Sequence, residues 1–288
     1  MPSTDYAPTI ADGIAPLAQG IEAWISDIWG VLHDGLAAFP GAGAACARFR
    51  EAGGTVVLVT NAPRPAAAVA RMLDRLGVPR AGWDAIVTSG DVSRGILADY
   101  AGRCVHHMGP PRDAGILDGL DVRLGGPDEA EVVLCTGLLD DERETPEDYR
   151  SVLERLARRA VPLVCANPDL MVERGPRLVP CAGSLAEIYR LLGGPVLFAG
   201  KPYPAIYAEA YAEIERARGT RLPKERMLAI GDGMRTDVEG AGREGLRCVF
   251  IASALHIDDR RSFDAGHLAE LFAGHAYPPA VAMRALRW

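Results

Sequence analysis

Residues 24–35 read WISDIWGVLHDG, and the reading of that stretch decides the fold. An apolar run ends in Asp27 and a Gly-containing turn follows at once. A buried parallel strand delivers a carboxylate in this way to the carboxyl edge of a sheet, where α/β folds place their sites. Upstream, residues 1–22 are a polar lead-in containing Pro and Ala, and AWISDI (23–28) is the first strand. Downstream, GVLHDGLAAFPGA (30–42) is a loop, and AACARFREAG (44–53) is a helix stopped by Gly53 and Gly54.

The pattern then repeats. TVVLVTN (55–61) is a β-branched run too short for a helix, hence a second buried strand. Pro65 opens the helix AAAVARMLDRLG (66–77), and DAIVTS (84–89) is a third strand. This alternation predicts a parallel sheet with right-handed crossovers. A different pattern occupies the middle of the chain, with strands expected at 103–109, 120–126, 131–137, 162–169 and near 178–180. Helices are expected there at 111–117, 145–158 and 184–192. VLFAGK (196–201), a helix over 205–219, MLAIGD (227–232), a helix over 236–245 and RCVFIA (247–252) then resume the first pattern. A polar loop, a short helix near 265–273 and a tail without an assignable role follow. The expectation is a core domain built from residues 1–88 and 196–288, with 89–195 inserted as a second α/β domain.

Bulk properties narrow the function classes. A chain of 288 residues with 49% hydrophobic and 24% charged residues is ordinary for a globular protein. Its formal charge of -7 gives no general attraction to nucleic acid or anionic membrane, so neither is an expected partner. The six cysteines at 46, 104, 135, 165, 181 and 248 are scattered without a C-x-x-C pair, which suits reduced thiols in a cytoplasm. No basic leader and no run of 18 apolar residues is present, so the expectation is a soluble cytoplasmic protein.

Four pieces of chemistry stand at predicted strand ends: Asp27, Thr60-Asn61, Lys201 after VLFAG, and GDGMRTD (231–237) with Asp232 and Asp237. Singly, each has a plain reading as a turn, a cap or a surface lysine, and Asp237 suits the first turn of a helix. As a set they suit phosphoryl transfer to a carboxylate, which brings two anions together and needs a cation and fixed donors. Asp27 and Asp232 can ligate Mg²⁺, Asp237 can orient a metal-bound water, and Lys201 can neutralise the phosphate. The Thr60 hydroxyl and neighbouring N–H groups can bind phosphoryl oxygens.

The order DxxGVL, VTNxP, GKPxP, GDxxxTD resembles the haloacid dehalogenase-like (HAD) hydrolases, specifically their class IIA phosphatases of nucleotides, p-nitrophenyl phosphate and sugar phosphates. FPGA (39–42) after HDG, ANPD (166–169) and GKPYPAIY (200–207) extend the resemblance, which covers residues 23–252. It implies a Rossmann-like parallel-sheet core with an inserted α/β (C2-type) cap, Mg²⁺ as cofactor and a small phosphorylated metabolite as substrate. By position it makes Asp27 the nucleophile, Thr60, Asn61 and Lys201 the phosphate binders, and Asp232 and Asp237 members of the metal site. Asn167 and Asp169 of the cap become candidates for substrate contact, beside their reading as an Asn-Pro turn. A homodimer is compatible with the resemblance.

One letter departs from that family. Trp29 stands where the family carries a second Asp, whose carbonyl ligates the metal and whose carboxyl protonates the leaving group. Trp29 keeps the carbonyl but has no titrating side chain. Positioned acid–base catalysis contributes ~10²–10⁴-fold, about 3–5 kcal/mol, so reduced efficiency is expected. His33 and Asp34 are candidates for a substitute acid, beside the plainer reading that such loop residues pack or cap. The alternatives are a catalytically impaired binder or sensor of a phosphorylated metabolite, or a dehalogenase-type hydrolase, whose chemistry would not need Asp232 and Asp237.

Overall fold

The computed structural model describes residues 7–174, 177–252 and 263–288; the polar loop expected after residue 252 lies largely outside them. In chain order the first strands are β1 (Thr9–Ile10), β2 (Ala23–Ser26), β3 (Thr55–Thr60) and β4 (Ala85–Thr88). Then come β5 (Cys104–Met108), β6 (Arg123–Leu124), β7 (Val132–Cys135), β8 (Leu163–Cys165), β9 (Met171–Arg174), β10 (Arg177–Pro180) and β11 (Val196–Phe198). The last are β12 (Met227–Gly231), β13 (Arg247–Ile251) and β14 (Val281–Met283). The helices are α1 (Ala42–Glu51), α2 (Ala66–Leu76), α3 (Ser89–Ala98), α4 (Arg150–Arg158), α5 (Ala182–Leu191), α6 (Pro204–Arg218), α7 (Glu239–Glu244) and α8 (Ala265–Leu271). None of the described helices is long and apolar enough to cross a membrane.

The chain divides into two compact units. The first takes the chain up to Thr60, then Ala70–Ile86 and Tyr207–Trp288. It is built on a seven-stranded sheet of order β1-β14-β13-β12-β2-β3-β4. Its central strands are parallel, with Met227 opposite Ala23 and Ala23 opposite Thr55. β2 and β3 are buried along their whole length, which is why AWI and TVVLVT are apolar or β-branched throughout instead of alternating. Trp24 stacks on Phe49 of α1 with ring centroids 4.0 Å apart. The tail acquires a structural role: β14 pairs in parallel with both β13 and β1, and Trp288 sits 6.4 Å from Trp24, centroid to centroid.

The second unit comprises Asn61–Val69 and Val87–Ile206. Its sheet has the order β11-β8-β7-β5-β6, and its strands are parallel. One face is covered by Leu153 and Leu156 of α4 with Leu185 and Tyr189 of α5, over Val133, Cys135 and Leu163. The other face buries Val105, Leu134 and Val164 against Leu97 of α3 and Ile116. β9 and β10 form a separate antiparallel ribbon, of which the sequence reading anticipated only the second strand.

This division differs from the expected insertion of 89–195. The expectation places VLFAGK in the core domain, yet β11 pairs with β8 of the second unit, Val196 opposite Leu163. The segment after Thr60 also groups with the second unit, because the Asn61 side chain is hydrogen-bonded to the backbone of Lys201.

Candidate active site

In the first unit β2 and β12 lie side by side in register, Ser26 opposite Ile230, so both strands deliver their next residues to the same edge. The Asp27 N–H donates to the Ile230 carbonyl at 2.8 Å, carrying the pairing to the carboxylate-bearing residue. Asp232 follows β12 directly. Asp237 lies in a single wide turn, Met234–Val238, and its N–H donates to the Gly233 carbonyl at 2.9 Å. The Gly233 N–H in turn donates to Asp237 Oδ2 at 3.1 Å, which fixes that side chain. Asp27, Asp232 and Asp237 are all buried, and one carboxylate oxygen from each lies within 4.8 Å of the others. Thr60 ends β3, the neighbour of β2, and is buried.

Two glycines make room for this cluster. A Cβ at Gly30 would collide with the Asp232 carboxylate, and one at Gly231 with Asp237. Gly30 also has φ +85°, a conformation that costs other residues about 1–2 kcal/mol. Three buried carboxylates at such separations repel one another, and a hard divalent cation with oxygen ligands offsets the repulsion. The donor set therefore fits Mg²⁺: oxygen only, with three acidic side chains and no soft ligand.

The loop after Asp27 holds Trp29, His33 and Asp34. The Gly30 N–H donates to the His33 carbonyl at 2.8 Å, so the chain folds back on itself. The Trp29 indole meets the His33 ring edge-on, with centroids 5.1 Å apart. The far edge of the indole rests on Gly35, where a Cβ would strike the ring. His33 is fully buried. Its Nδ1 accepts the Gly35 N–H at 2.8 Å, so its proton resides on Nε2, which has no hydrogen-bond partner. Burial pushes its pKa down to about 4, against the weaker opposing pull of the Asp34 charge, so the ring is neutral at pH 7. Asp34 is exposed and its Oδ1 accepts the N–H groups of Leu36 and Ala37, both at 2.8 Å. The Ala37 and then the Leu36 hydrogen bonds hold its carboxyl below the usual carboxylate range. Both residues thus brace the loop, and neither has the environment expected of a substitute acid.

The second unit gathers a different set. The Lys201 N–H donates to Asn61 Oδ1 at 2.7 Å, and Asn61 Nδ2 donates to the Lys201 carbonyl at 3.2 Å and to Asp169 Oδ1 at 3.1 Å. Asn61 was expected to bind phosphate. Its side-chain oxygen and both side-chain amide protons are engaged within the protein, so the side chain clamps the Lys201 backbone. Gly200 is required there, since a Cβ would collide with Asn61 and Pro168. Asn167 Oδ1 accepts the Asp169 N–H at 3.1 Å, the Asn-Pro turn of the plainer reading. Lys201 is buried. The sequence reading overlooked Arg64, whose Nε donates to the buried Asp113 at 2.8 Å, and His107, which is hydrogen-bonded to Thr136 at 2.9 Å. Neither pair has a local spacing signal, because the partners are 49 and 29 residues apart.

A sequence profile of haloacid dehalogenase-like hydrolases matches residues 24–123, and a HAD-hydrolase-like profile matches residues 198–270. A hydrolase of the haloacid dehalogenase-like family from Brucella suis 1330 is 44% identical, covering 96% of this chain and 100% of its own, with a TM-score of 0.85. The chain belongs to the haloacid dehalogenase-like hydrolase family. The fold of this HAD hydrolase is shared by a 4-nitrophenylphosphatase from Thermotoga maritima, 23% identical over 93% of this chain and 96% of its own, TM-score 0.70. A glycerol phosphate phosphatase from Mycobacterium tuberculosis, solved in complex with calcium, is 26% identical over 82% of this chain and 67% of its own, TM-score 0.63. No curated protein matches the HAD hydrolase described here.

Proposed function

We propose that this HAD hydrolase is a Mg²⁺-dependent phosphatase of small phosphorylated metabolites, working through an aspartyl-phosphate on Asp27. The observation that carries the reading is the cluster of Asp27, Asp232 and Asp237, three buried carboxylates within 4.8 Å at one sheet edge. Asp27, Asp232, the Trp29 carbonyl and, through water, Asp237 would hold the metal. Bound Mg²⁺ would neutralise charge between the nucleophile and the phosphoryl group. An Asp27 oxygen attacks phosphorus while the bond to the leaving oxygen breaks, and the electron pair departs with that oxygen. Water then attacks the phosphoryl group, and the Asp27–phosphorus bond breaks to restore the carboxylate and release phosphate. The Thr60 hydroxyl and the Lys201 ammonium bind phosphoryl oxygens, and Asn167 and Asp169 are the candidates for contacting the rest of the substrate. The calcium-bound glycerol phosphate phosphatase accords with a divalent cation in such a protein. All six cysteines are buried and unbridged, which suits a reducing cytoplasm.

Turnover is lowered by Trp29, which brings no carboxyl group to the reaction. That substitution also favours a second reading, a binder of phosphorylated metabolites that turns nothing over. One experiment separates the two: phosphate release from a panel of phosphate esters with Mg²⁺ and with EDTA, using Asp27→Asn as the control. Release that needs both Mg²⁺ and Asp27 supports the phosphatase. Ligand-dependent thermal stabilisation without release supports the binder.

A further inference from the structure

The loop between Asp27 and α1 offers three side chains that could protonate a leaving oxygen, and the structure holds each of them within the loop. Trp29 has only an indole N–H, which does not titrate, and its ring lies between His33 and Gly35. His33 is fully buried against the Trp29 ring, and its Nδ1 accepts the Gly35 N–H, so the imidazole is held inside the loop. Asp34 is a turn carboxylate that accepts two backbone N–H groups. His275 is also engaged: Nδ1 accepts the Tyr277 N–H and Nε2 lies 3.2 Å from the carbonyl of Met234, in the turn that carries Asp237.

We infer that the substrates of this enzyme are phosphates whose leaving oxygen departs without a proton: acyl phosphates and phosphates of acidic aryl or enol hydroxyls, in preference to alkyl phosphates. The inference rests on the phosphatase reading above. When Asp27 attacks phosphorus, the phosphorus–oxygen bond breaks and its electron pair goes to the leaving oxygen. A carboxylate or phenolate holds that pair as a stable anion. An alkoxide does not, and must receive a proton that these side chains do not supply. The later attack of water on the phosphorylated Asp27 is the same for every substrate. Selection among leaving groups therefore appears in kcat/KM, which reports the first irreversible step, and good substrates share one kcat.

The test is kcat/KM of the full-length protein with Mg²⁺ for acetyl phosphate, a series of substituted phenyl phosphates and glycerol phosphate, plotted against leaving-group pKa. The expected plot falls steadily, with glycerol phosphate below p-nitrophenyl phosphate by at least ~10²-fold, the lower end of what a positioned acid contributes. Trp29→Asp is expected to flatten the slope, raising the ratio of alkyl to aryl kcat/KM at least about tenfold. A flat plot for the native protein overturns the inference, because a proton donor then exists, whichever unit supplies it. The native plot decides even where the variant does not fold. A flat plot whose activity is abolished by Asp27→Asn removes only this inference. Absence of turnover on every compound removes the phosphatase reading together with it.

Discussion

Lowering the pH tests how His33 is held in the loop after Asp27. Its folded-state pKa is about 4 against an ordinary 6.5, so between those values the unfolded chain binds a proton that the folded one refuses. Stability from this residue is therefore fully present above about pH 6.5, falls as pH drops, and stops falling below about pH 4. The difference corresponds to about 3 kcal/mol across that window. The perturbation that isolates it is His33→Asn, whose side-chain oxygen can still accept the Gly35 N–H but does not titrate. The variant loses packing and is less stable at pH 7.5. Urea unfolding at a series of pH values from 7.5 to 4 then gives the gap between the two proteins. The expected gap narrows by about 3 kcal/mol toward pH 4. A gap independent of pH would refute the reasoning, since His33 would then titrate alike in both states and be free to carry a proton near the site.

Three more outcomes are expected. Asp232→Asn relieves repulsion among the three carboxylates, so the metal-free protein gains stability while its thermal response to Mg²⁺ shrinks; differential scanning fluorimetry with EDTA and with Mg²⁺ checks both signs. Gly30→Ala costs about 1–2 kcal/mol for its positive φ and also displaces the Asp232 carboxylate, so urea unfolding and Mg²⁺ titration decline together. Asn61→Ala strips the Lys201 backbone and Asp169 of their partner and costs about 1–3 kcal/mol in urea unfolding, with phosphate release falling because Lys201 loses its position.

The strands that carry the candidate site were legible because their signal is local. AWIS, TVVLVT and MLAIG are buried on both sides, so each reads as a short, largely apolar run with Asp27, Thr60 or Asp232 at or just past its end. The carboxylate cluster followed from motif order, although its closeness depends on Gly30 and Gly231, whose vacant Cβ positions are a three-dimensional requirement. Pairing partners were not legible. β11 looks like any edge of either sheet, and its register with β8 is set by packing between segments more than thirty residues apart. The tail strand β14 and the two-residue β1 were missed for the same reason: each is too short to show periodicity, β14 forming on the edge of β13 and β1 on the edge of β14. The clamp made by the Asn61 side chain was not legible, because a polar residue after a strand looks the same whether it faces a ligand or a backbone 140 residues away. His33 and Asp34 were visible as candidates, and only hydrogen bonds from Gly35, Leu36 and Ala37 showed how they are held.

The central claim is that Asp27 receives the phosphoryl group. Water has no evident base at Trp29, so the phosphorylated enzyme should persist long enough to trap. The direct measurement is to mix the protein with Mg²⁺ and acetyl phosphate, quench in acid, and analyse the peptide that contains Asp27 by mass spectrometry. The account predicts one added phosphoryl group on that peptide, released by hydroxylamine and absent from Asp27→Asn. Phosphate release without any label on Asp27, or an equal label on Asp27→Asn, would contradict it.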